Sequence, residues 1–372
     1  MEKQGLTNKS EQTTVRHITV DEDDAGTRLD RFLTRQYPEV PKSRLFRIVR
    51  KGEVRVNGKR AGIDTRLALG DEVRLPPVRL EPREGGVEVG VSPSSGQAAE
   101  AGAVAATRPA RAVRSRVPAS LIATVTEAIV FEDERLLVVN KPAGLAVHGG
   151  SGLSFGVIEA LRAARPDERD KLELVHRLDR DTSGVLLIAR KPAVLRMLHA
   201  GLREGEGFEK RYLALVKGSW QLGKKRIDAP LRTDLRVGGE RTVKVQASGK
   251  SATSDFRPVQ GFGRIASLLE VSILTGRTHQ IRVHAAYAGH PVAGDPKYGD
   301  FEFNKAMRDY GLERMFLHAS SLSFVWPDRG TEFSVNAPLP PELARVIDAL
   351  SSASSGRRRG ARPPRRRSSA GR

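Results

Sequence analysis

Ionisable side chains are concentrated between Leu174 and Arg190, where the chain reads LVHRLDRDTSGVLLIAR. Two aspartates, three arginines and a histidine lie around a short aliphatic run, Val185–Ala189, whose flanks at Gly184 and Pro192 predict a buried strand. Charges beside a buried strand must pair, face solvent or line a cleft, because an unpaired charge is costly to bury. The pattern therefore indicates either a cleft in which arginines hold an ionised aspartate, or an exposed loop with loose ion pairs.

Three further segments place polar residues beside predicted strands. They read VVNKPAGLAVH (138–148), FEKRYLALV (208–216) and TGRTHQIRVH (275–284), and the last continues through GHP (289–291) to GDPKYG (294–299). Taken singly they decide little, since Tyr212 also suits strand packing, and Arg277 and Arg282 also suit an exposed surface. His279 and His284 lack the spacing of a zinc helix, and neither common Gly-rich phosphate loop is present, so we expect no metal and no nucleotide cofactor.

The charge of the chain indicates an anionic partner. The formal net charge is +19 and the pI is about 10.6, values typical of proteins that bind nucleic acid or another anionic surface. Residues 28–78 hold 13 basic and 6 acidic residues, and residues 357–372 hold 8 arginines and no acid. The chain has no cysteine, which excludes disulfides and thiolate nucleophiles and fits a cytoplasmic protein. We expect no membrane partner, because no apolar run approaches about 18 residues.

Composition and periodicity predict five segments. They are a disordered acidic N-terminus (1–27), a small α/β domain (28–78), a flexible Gly/Ala/Pro/Ser-rich linker (79–118), a large domain (119–349) and a disordered Arg-rich tail (350–372). The predicted fold class is therefore α+β, with the small domain preceding the large one.

The small domain has the pattern of two helices followed by short strands. The first helix contains Leu29, Phe32 and Leu33, and the second begins after Pro41 and ends at Gly52. Strands are predicted at 53–56 and 71–75, with a turn at 57–58 that reads Asn-Gly. The second helix carries candidate phosphate contacts, which are Arg44, Arg47, Arg50 and Lys51.

The large domain mixes strands with few helices. The strand candidates are Leu136–Asn140, Val185–Ala189, Tyr212–Lys217, Leu268–Ile273 and Leu322–Phe324. Pro192–Arg203 is predicted to be a helix, because proline suits its first position and the apolar residues share one face.

The order of NKPAGL, HRLDRDTSG, KRYLALV and GRTHQIRVH…GHP…GDPKYG resembles the RluA/RluC/RluD-type ribosomal RNA pseudouridine synthases over about residues 130–340. The segments DRDTSGVLLIAR, LHAGLREG and KRYLALV are most similar to the RluC type, and residues 28–78 resemble an S4 RNA-binding domain. The resemblance implies a catalytic domain with a mixed, largely antiparallel sheet and a central cleft, plus a small α/β S4-like domain. It also implies isomerisation of specific uridines in 23S rRNA near the peptidyl-transferase region.

The same resemblance assigns roles to individual residues. It implies that Asp179 is the catalytic aspartate, that Tyr212 stacks on the target base and that Arg282 pairs with Asp179. It implies that Arg177 helps to turn the target nucleotide out of its helix. Asp181 is given a structural role.

Two further residues, His176 and Arg277, are expected to contact RNA at the same site.

The residue types of the implied site suit the implied reaction, in which the N1–C1′ bond breaks, the uracil rotates and a new bond forms at C5. The base must first leave its stack, and an aromatic face that receives it contributes about 1–3 kcal/mol. A catalytic aspartate must be ionised, which burial opposes and a neighbouring arginine favours. Whether it attacks the sugar, attacks the base or removes a 2′ proton stays open, and Tyr212 is one candidate for the C5 proton acceptor.

No electron or phosphate is transferred in this reaction, so no cofactor is implied. The expected partner is 23S rRNA or the pre-ribosomal large subunit, and the expected state is a monomer. Two alternatives remain, namely a pseudouridine synthase that acts on tRNA and a catalytically idle RNA-binding factor for ribosome assembly. The Arg-rich tail either adds salt-sensitive attraction to RNA or has no role.

Overall fold

The computed structural model describes residues 14–37, 40–78, 116–150, 155–204, 207–235 and 241–360. The chain divides into two compact units between Arg116 and Val117. Within the described ranges, no helix is long and apolar enough to cross a membrane.

The first unit combines two helices with a four-stranded antiparallel sheet of order β1-β4-β2-β3. Its elements are β1 (Arg16–Thr19), α1 (Leu29–Gln36), α2 (Lys42–Arg50), β2 (Arg55–Val56), β3 (Lys59–Arg60) and β4 (Glu72–Leu75). Every apolar residue that gave the helices their predicted spacing is buried, including Phe32 and Leu45. The predicted turn is also present, since Asn57 and Gly58 both have positive φ and join β2 to β3.

The prediction of disorder for residues 1–27 is wrong for part of that segment. Strand β1 pairs with β4, with Arg16 opposite Leu75 and Thr19 opposite Glu72. The four residues RHIT contain a single aliphatic side chain, so local periodicity is too weak to reveal a strand whose partner is distant in the chain. Residues 1–13 lie outside the described residues.

The predicted tail also begins too early. Helix α8 (Pro341–Gly360) passes through residue 350, where the buried Leu350 packs with Leu343 and Val346. The apolar face of the helix therefore reaches residue 350, which was predicted to belong to the disordered tail. Residues 361–372 and most of the predicted linker, 79–115, lie outside the described residues.

The second unit is built on a ten-stranded sheet of order β10-β13-β14-β9-β15-β8-β6-β5, with β7 on β8 and β16 on β15. The strands are β5 (Ile129–Glu132), β6 (Leu136–Lys141), β7 (Glu173–Leu174), β8 (Ser183–Ala189), β9 (Phe208–Lys217), β10 (Lys225–Asp228), β13 (Thr253–Phe262), β14 (Ala266–Ile273), β15 (Leu317–Val325) and β16 (Glu332–Asn336), while β11 (Leu231–Leu235) and β12 (Arg241–Val245) form a separate hairpin. All pairs in the large sheet are antiparallel except β15 with β8. The predicted mixed, largely antiparallel sheet is thus confirmed.

Six α-helices of the described ranges accompany this sheet. They are α3 (Ala119–Glu127), α4 (Val157–Ala164), α5 (Pro192–Glu204), α6 (Gln280–Tyr287), α7 (Phe301–Arg308) and α8. The predicted helix at Pro192–Arg203 is confirmed as α5, with Val194 and Leu198 in the core. The five predicted strands are confirmed as β6, β8, β9, β14 and β15, with longer bounds.

Strand β8 is covered on both faces. Leu186 and Ile188 join the core that contains α4, whereas Val185, Leu187 and Ala189 join the core that contains α5. Double burial explains why this strand reads as a continuous apolar run without alternation. All seven residues of the strand are buried, and the charged segment before it lines a cleft.

The N-terminal end of β8 is where the central strands meet. Ser183 and Gly184 pair in parallel with His318 and Ala319 of β15, and Tyr212 of β9 lies opposite the same Ala319. Gly184 has a φ of 114°, and a Cβ added there would lie 2.1 Å from the carbonyl oxygen of Ala319. The close approach of β15 to β8 therefore requires glycine at this position.

We expect Gly184→Ala to lower the free energy of unfolding by about 3 kcal/mol, because β15 must move away and the backbone is left-handed. Urea denaturation followed by circular dichroism measures this change. Gly261→Ala is the matched control, since a Cβ there meets no atom within 4 Å. Equal stability of the two variants would contradict this account of the strand junction.

Candidate active site

Asp179 lies in the loop between β7 and β8. Its carboxylate is one-fifth exposed, and its carbonyl accepts a hydrogen bond from the Thr182 amide at 3.2 Å. The preceding Leu178 is buried, whereas Arg177 is exposed. These four residues line a cleft together with the 276–282 segment.

Lys141 holds the Asp179 loop against the turn that follows β6. Its side chain is fully buried, and its Nζ donates to the carbonyl oxygens of Pro142 and Leu145 at 2.8 Å and of Arg180 at 2.9 Å. Burial lowers the pKa of Lys141 to about 7, although the nearby Asp181 and Asp179 oppose that change. The Lys-Pro-x-Gly motif thus has a structural function, which is to fix the backbone beside Asp179.

Arg282 joins two carboxylates at the base of the cleft. Its Nε and Nη2 each donate to Asp295 at 2.8 Å, and its Nη1 donates to Asp179 Oδ2 at 3.1 Å. The Arg282 side chain is 8% exposed and the Asp295 side chain is completely buried. The bidentate pair with Asp295 fixes the guanidinium plane, so that its remaining edge is directed at Asp179.

Arg282 and Asp295 each favour the charged form of the other. Burial by itself would lower the pKa of Arg282, but the hydrogen bonds and negative charges of Asp295 and Asp179 raise it overall. Burial would likewise raise the pKa of Asp295, but Arg282 and the backbone amides of Lys297 and Tyr298 lower it overall. Both groups are therefore charged at neutral pH.

Two glycines and the side-chain amide of Asn304 hold Asp295 in place. The side chain of Asn304 accepts from the Gly294 amide at 2.8 Å and donates to the Asp295 carbonyl at 2.9 Å. A Cβ on Gly294 would lie 2.3 Å from the carbonyl oxygen of Arg314, and one on Gly299 would lie 2.1 Å from that of Asp295. The glycines of GDPKYG thus permit the tight backbone that carries the carboxylate.

Tyr212 forms part of the cleft wall from strand β9. The residue is 7% exposed, and it lines the same cleft as Asp179 and Arg282. Burial, and secondarily the charge of Asp179, raises the pKa of the Tyr212 phenol, which is therefore neutral at physiological pH.

The turn before α6 is held by Gln280. Its buried side chain accepts from the Thr275 hydroxyl at 2.8 Å and the Arg277 amide at 3.0 Å, and donates to the Thr253 carbonyl at 2.9 Å. One turn later, His284 is fully buried and bonds to Ser254 and Ala229. This polar anchoring attaches α6 to β13 and thereby sets the position of Arg282.

His279 stands beside the carboxylate of Asp179. Its Nε2 is 3.9 Å from Asp179 Oδ2, and its Nδ1 is 2.8 Å from the hydroxyl of Tyr298. Burial lowers the pKa of His279, and the positive charge of Arg282 acts in the same direction although Asp179 opposes it. No group of three or more potential ligands in the described part of the chain is arranged to hold a metal ion.

The predicted RNA-contact residues fall in different surroundings. Arg177 and Arg277 are exposed at the cleft, where Arg277 also donates to the Ser251 carbonyl at 3.1 Å. His176 instead faces the sheet, because its Nε2 accepts from the Leu187 amide at 3.1 Å. Burial lowers the pKa of His176 to about 4, and its contact with RNA stays a prediction.

On α2 of the first unit, Arg47 and Arg50 are exposed and Lys51 follows at the exposed helix end, whereas Arg44 is half-buried. Lys51 lies 3.9 Å from Glu53, which leaves the guanidinium groups as the main cationic feature of this face.

Four residues of the site carry no predicted role in the sequence, namely Lys141, His279, Asp295 and Tyr298. All lie inside motifs that the sequence singles out, so the motifs themselves were the available signal. Their roles depend on contacts between distant segments, such as Lys141 with Arg180, which no local pattern contains.

Comparison with known proteins identifies the family. The model of the RNA pseudouridylate synthase family matches residues 135–287, and that of the S4 domain matches residues 27–73. The chain is 47% identical over 346 residues to ribosomal large subunit pseudouridine synthase C of Salmonella typhi, across 92% of this chain and 99% of that protein. The chain belongs to the RNA pseudouridylate synthase family. Both resemblances predicted from the motifs are thereby confirmed.

Other relatives of this pseudouridylate synthase agree. Proteins of the same name from Escherichia coli (strain K12) and Yersinia pestis are 47% and 48% identical over 347 and 342 residues, covering 93% and 92% of this chain and 99% and 98% of theirs. Human RNA pseudouridylate synthase domain containing 4 has the same fold at a TM-score of 0.52 and 24% identity, covering 62% of this chain and 96% of its own.

We expect Asp295→Asn to lower the free energy of unfolding of this synthase by about 3–5 kcal/mol, because it leaves the buried guanidinium of Arg282 without its main counter-charge. Urea denaturation is the measurement. Asp255→Asn is the matched control, since Asp255 forms an equally bidentate but exposed pair with Arg226. That variant should stay close to the wild type, and equal losses would show that burial of the Arg282 pair is unimportant.

Proposed function

We propose that this pseudouridylate synthase isomerises uridines of large-subunit (23S) ribosomal RNA, with Asp179 as its catalytic residue. The observation that carries the proposal is the position of Asp179 in an open cleft, 3.1 Å from a buried arginine that Asp295 already holds. The proposed substrate is that named for relatives, the ribosomal large subunit pseudouridine synthases C, which match this chain over nearly their whole length.

The geometry suits an aspartate that must act as an anion. Arg282 supplies a fixed positive charge to one carboxylate oxygen, Oδ2, while the side chain keeps one-fifth of its surface open to the cleft. A buried, preorganised partner of this kind orients the carboxylate without rearrangement during the reaction. Attack of Asp179 on C1′ or on the uracil ring, or removal of the 2′ proton, would each use this exposed carboxylate.

Tyr212 and Arg177 have complementary positions for a flipped base. The Tyr212 ring lines the cleft as a π surface for the uracil, and its neutral phenol is a weak base. This favours stacking over proton removal from C5 as its role. The exposed Arg177 at the same cleft is placed to fill the space that the base leaves in the RNA helix.

Loss of Asp179 should separate chemistry from binding. We expect Asp179→Asn to abolish tritium release from 23S rRNA labelled at uridine C5, because re-formation of the bond at C5 expels that label. RNA affinity, measured by filter binding, should stay within about twofold of the wild type, since Asn preserves size and removes only a negative charge. Asp181→Asn is the matched control and should retain release, because the Asp181 carboxylate bonds to its neighbour Arg180.

The other outcomes distinguish the competing functions. Release from tRNA alone would establish the tRNA alternative, and no release by the wild type from rRNA, ribosomal precursors or tRNA would leave the RNA-binding assembly factor. Release by both the wild type and Asp179→Asn would mean that another residue carries the reaction.

The α2 face of the first unit should contribute phosphate contacts. We expect the double variant Arg47→Gln, Arg50→Gln to weaken 23S rRNA binding and to reduce the slope of log K against log salt by about 1–2, since each lost phosphate contact removes about 0.7–0.9. Arg31→Gln, an exposed arginine of α1, is the control. An unchanged salt slope in the double variant would exclude this face from the RNA interface.

A further inference from the structure

Tyr298 contacts three residues around Asp179, namely Asp295, Arg282 and His279. Its amide donates to Asp295 at 3.1 Å, and its ring centroid lies 5.1 Å from Cζ of Arg282. Its hydroxyl lies 2.8 Å from Nδ1 of His279 and accepts from the Val243 amide, in β12, at 2.9 Å. The residue therefore links the β11–β12 hairpin to the side chains around the catalytic carboxylate.

Hydrogen-bond capacity determines the direction of the Tyr298 bond to His279. Burial raises the pKa of Tyr298, so the phenol keeps one proton to donate. Its oxygen already accepts from Val243, and Nδ1 of His279 is the acceptor within reach among the described residues. If Tyr298 donates, Nδ1 is unprotonated and the neutral imidazole carries its proton on Nε2, the nitrogen 3.9 Å from Asp179.

The backbone of His279 is independently unusual. It has a φ of 55° and a ψ of 20°, the left-handed region, immediately before the first residue of α6. In the described residues the other non-glycine with positive φ is Asn57, in a turn where asparagine is common. A histidine held in this conformation at a cleft beside Asp179 points to a side chain that is needed there.

We propose that Tyr298 is a positioning residue for the uridine isomerisation, in which its hydroxyl fixes His279 as the Nε2–H tautomer and so presents a neutral donor to the Asp179 carboxylate. The proposal rests on the proposed function of Asp179. Arg282 supplies the charge and the hydrogen bond to Oδ2. The Nε2–H group of His279 lies 3.9 Å from the same oxygen, beyond hydrogen-bond distance, and adds a weaker electrostatic attraction from a second direction that restricts rotation of the carboxylate. Through Val243, the same hydroxyl ties this donor to the hairpin.

The tautomer is measured directly on the full chain. The protein has 8 histidines, so ¹⁵N-histidine labelling with long-range ¹H–¹⁵N correlation resolves the rings, and His279→Asn assigns the signal. We expect an unprotonated Nδ1 and a protonated Nε2 at His279 in the wild type, and loss of this pattern in Tyr298→Phe. A protonated Nδ1 in the wild type would overturn the proposal. This measurement needs no RNA, so it stays informative even if the chain fails to release tritium.

Single-turnover tritium release tests the consequence. We expect Tyr298→Phe to lower the rate constant about tenfold, the size of one orienting hydrogen bond, with the RNA concentration dependence unchanged. Tyr287→Phe is the matched control, because Tyr287 is 65% exposed at the end of α6, and it should react like the wild type. A wild-type rate for Tyr298→Phe would reject a positioning role.

A double variant separates this role from a general structural one. Asparagine tolerates the left-handed backbone at position 279 but lacks the Nε2–H group. If Tyr298 acts through His279, the double variant Tyr298→Phe, His279→Asn is no slower than His279→Asn alone. If the two effects multiply, Tyr298 acts through Arg282, Asp295 or the fold, and the proposal is wrong.

Discussion

The site depends on one buried ion pair. Asp295, with no exposed side-chain surface, accepts two hydrogen bonds from Arg282, which leaves a single guanidinium edge for Asp179. Burying such charges is costly, and the attraction and hydrogen bonds within the pair offset that cost. The backbone amides of Lys297 and Tyr298 also donate to the Asp295 carboxylate, and Asn304 bonds to the backbone of Gly294 and Asp295. The direction of the Asp179 carboxylate is therefore set by Asp295, a residue that does not line the cleft.

The second requirement is a junction of strands at the start of β8. There β15 approaches β8 so closely that only glycine fits at position 184, and the same stretch of β15 pairs with β9 beside Tyr212. Lys141 then ties the loop that carries Asp179 to the turn after β6. Aspartate, aromatic ring and arginine thus come from three separate segments, and rigid backbone contacts bring them together. Preorganisation of this kind is what a cleft for an extruded base requires.

Much of this architecture was predictable from local pattern. The apolar run at Val185–Ala189, the helix beginning at Pro192 and the Asn57-Gly58 turn each have a strong short-range signal, and the structure confirms all three. Strand β1 was missed because RHIT has too few apolar residues, and the continuation of α8 past residue 350 because the sequence there is rich in serine and arginine. For His176 the fold adds a contact that the sequence does not contain, because its ring accepts a hydrogen bond from the amide of Leu187.

The sequence by itself determined the family, the cationic character, the two-domain organisation and the motifs that hold Asp179, Tyr212 and Arg282, because these are properties of residue type and order. Tertiary structure alone decided that Arg282 forms its bidentate pair with Asp295 and that the buried Lys141 bonds to backbone carbonyls. It also decided that the Tyr298 hydroxyl bonds to His279. Each of those facts is a contact between side chains or backbone groups brought together by the sheet, α6 and the turn after it. Hydrogen bonds act over about 3 Å, so a spacing along the chain does not specify them until the strands have paired.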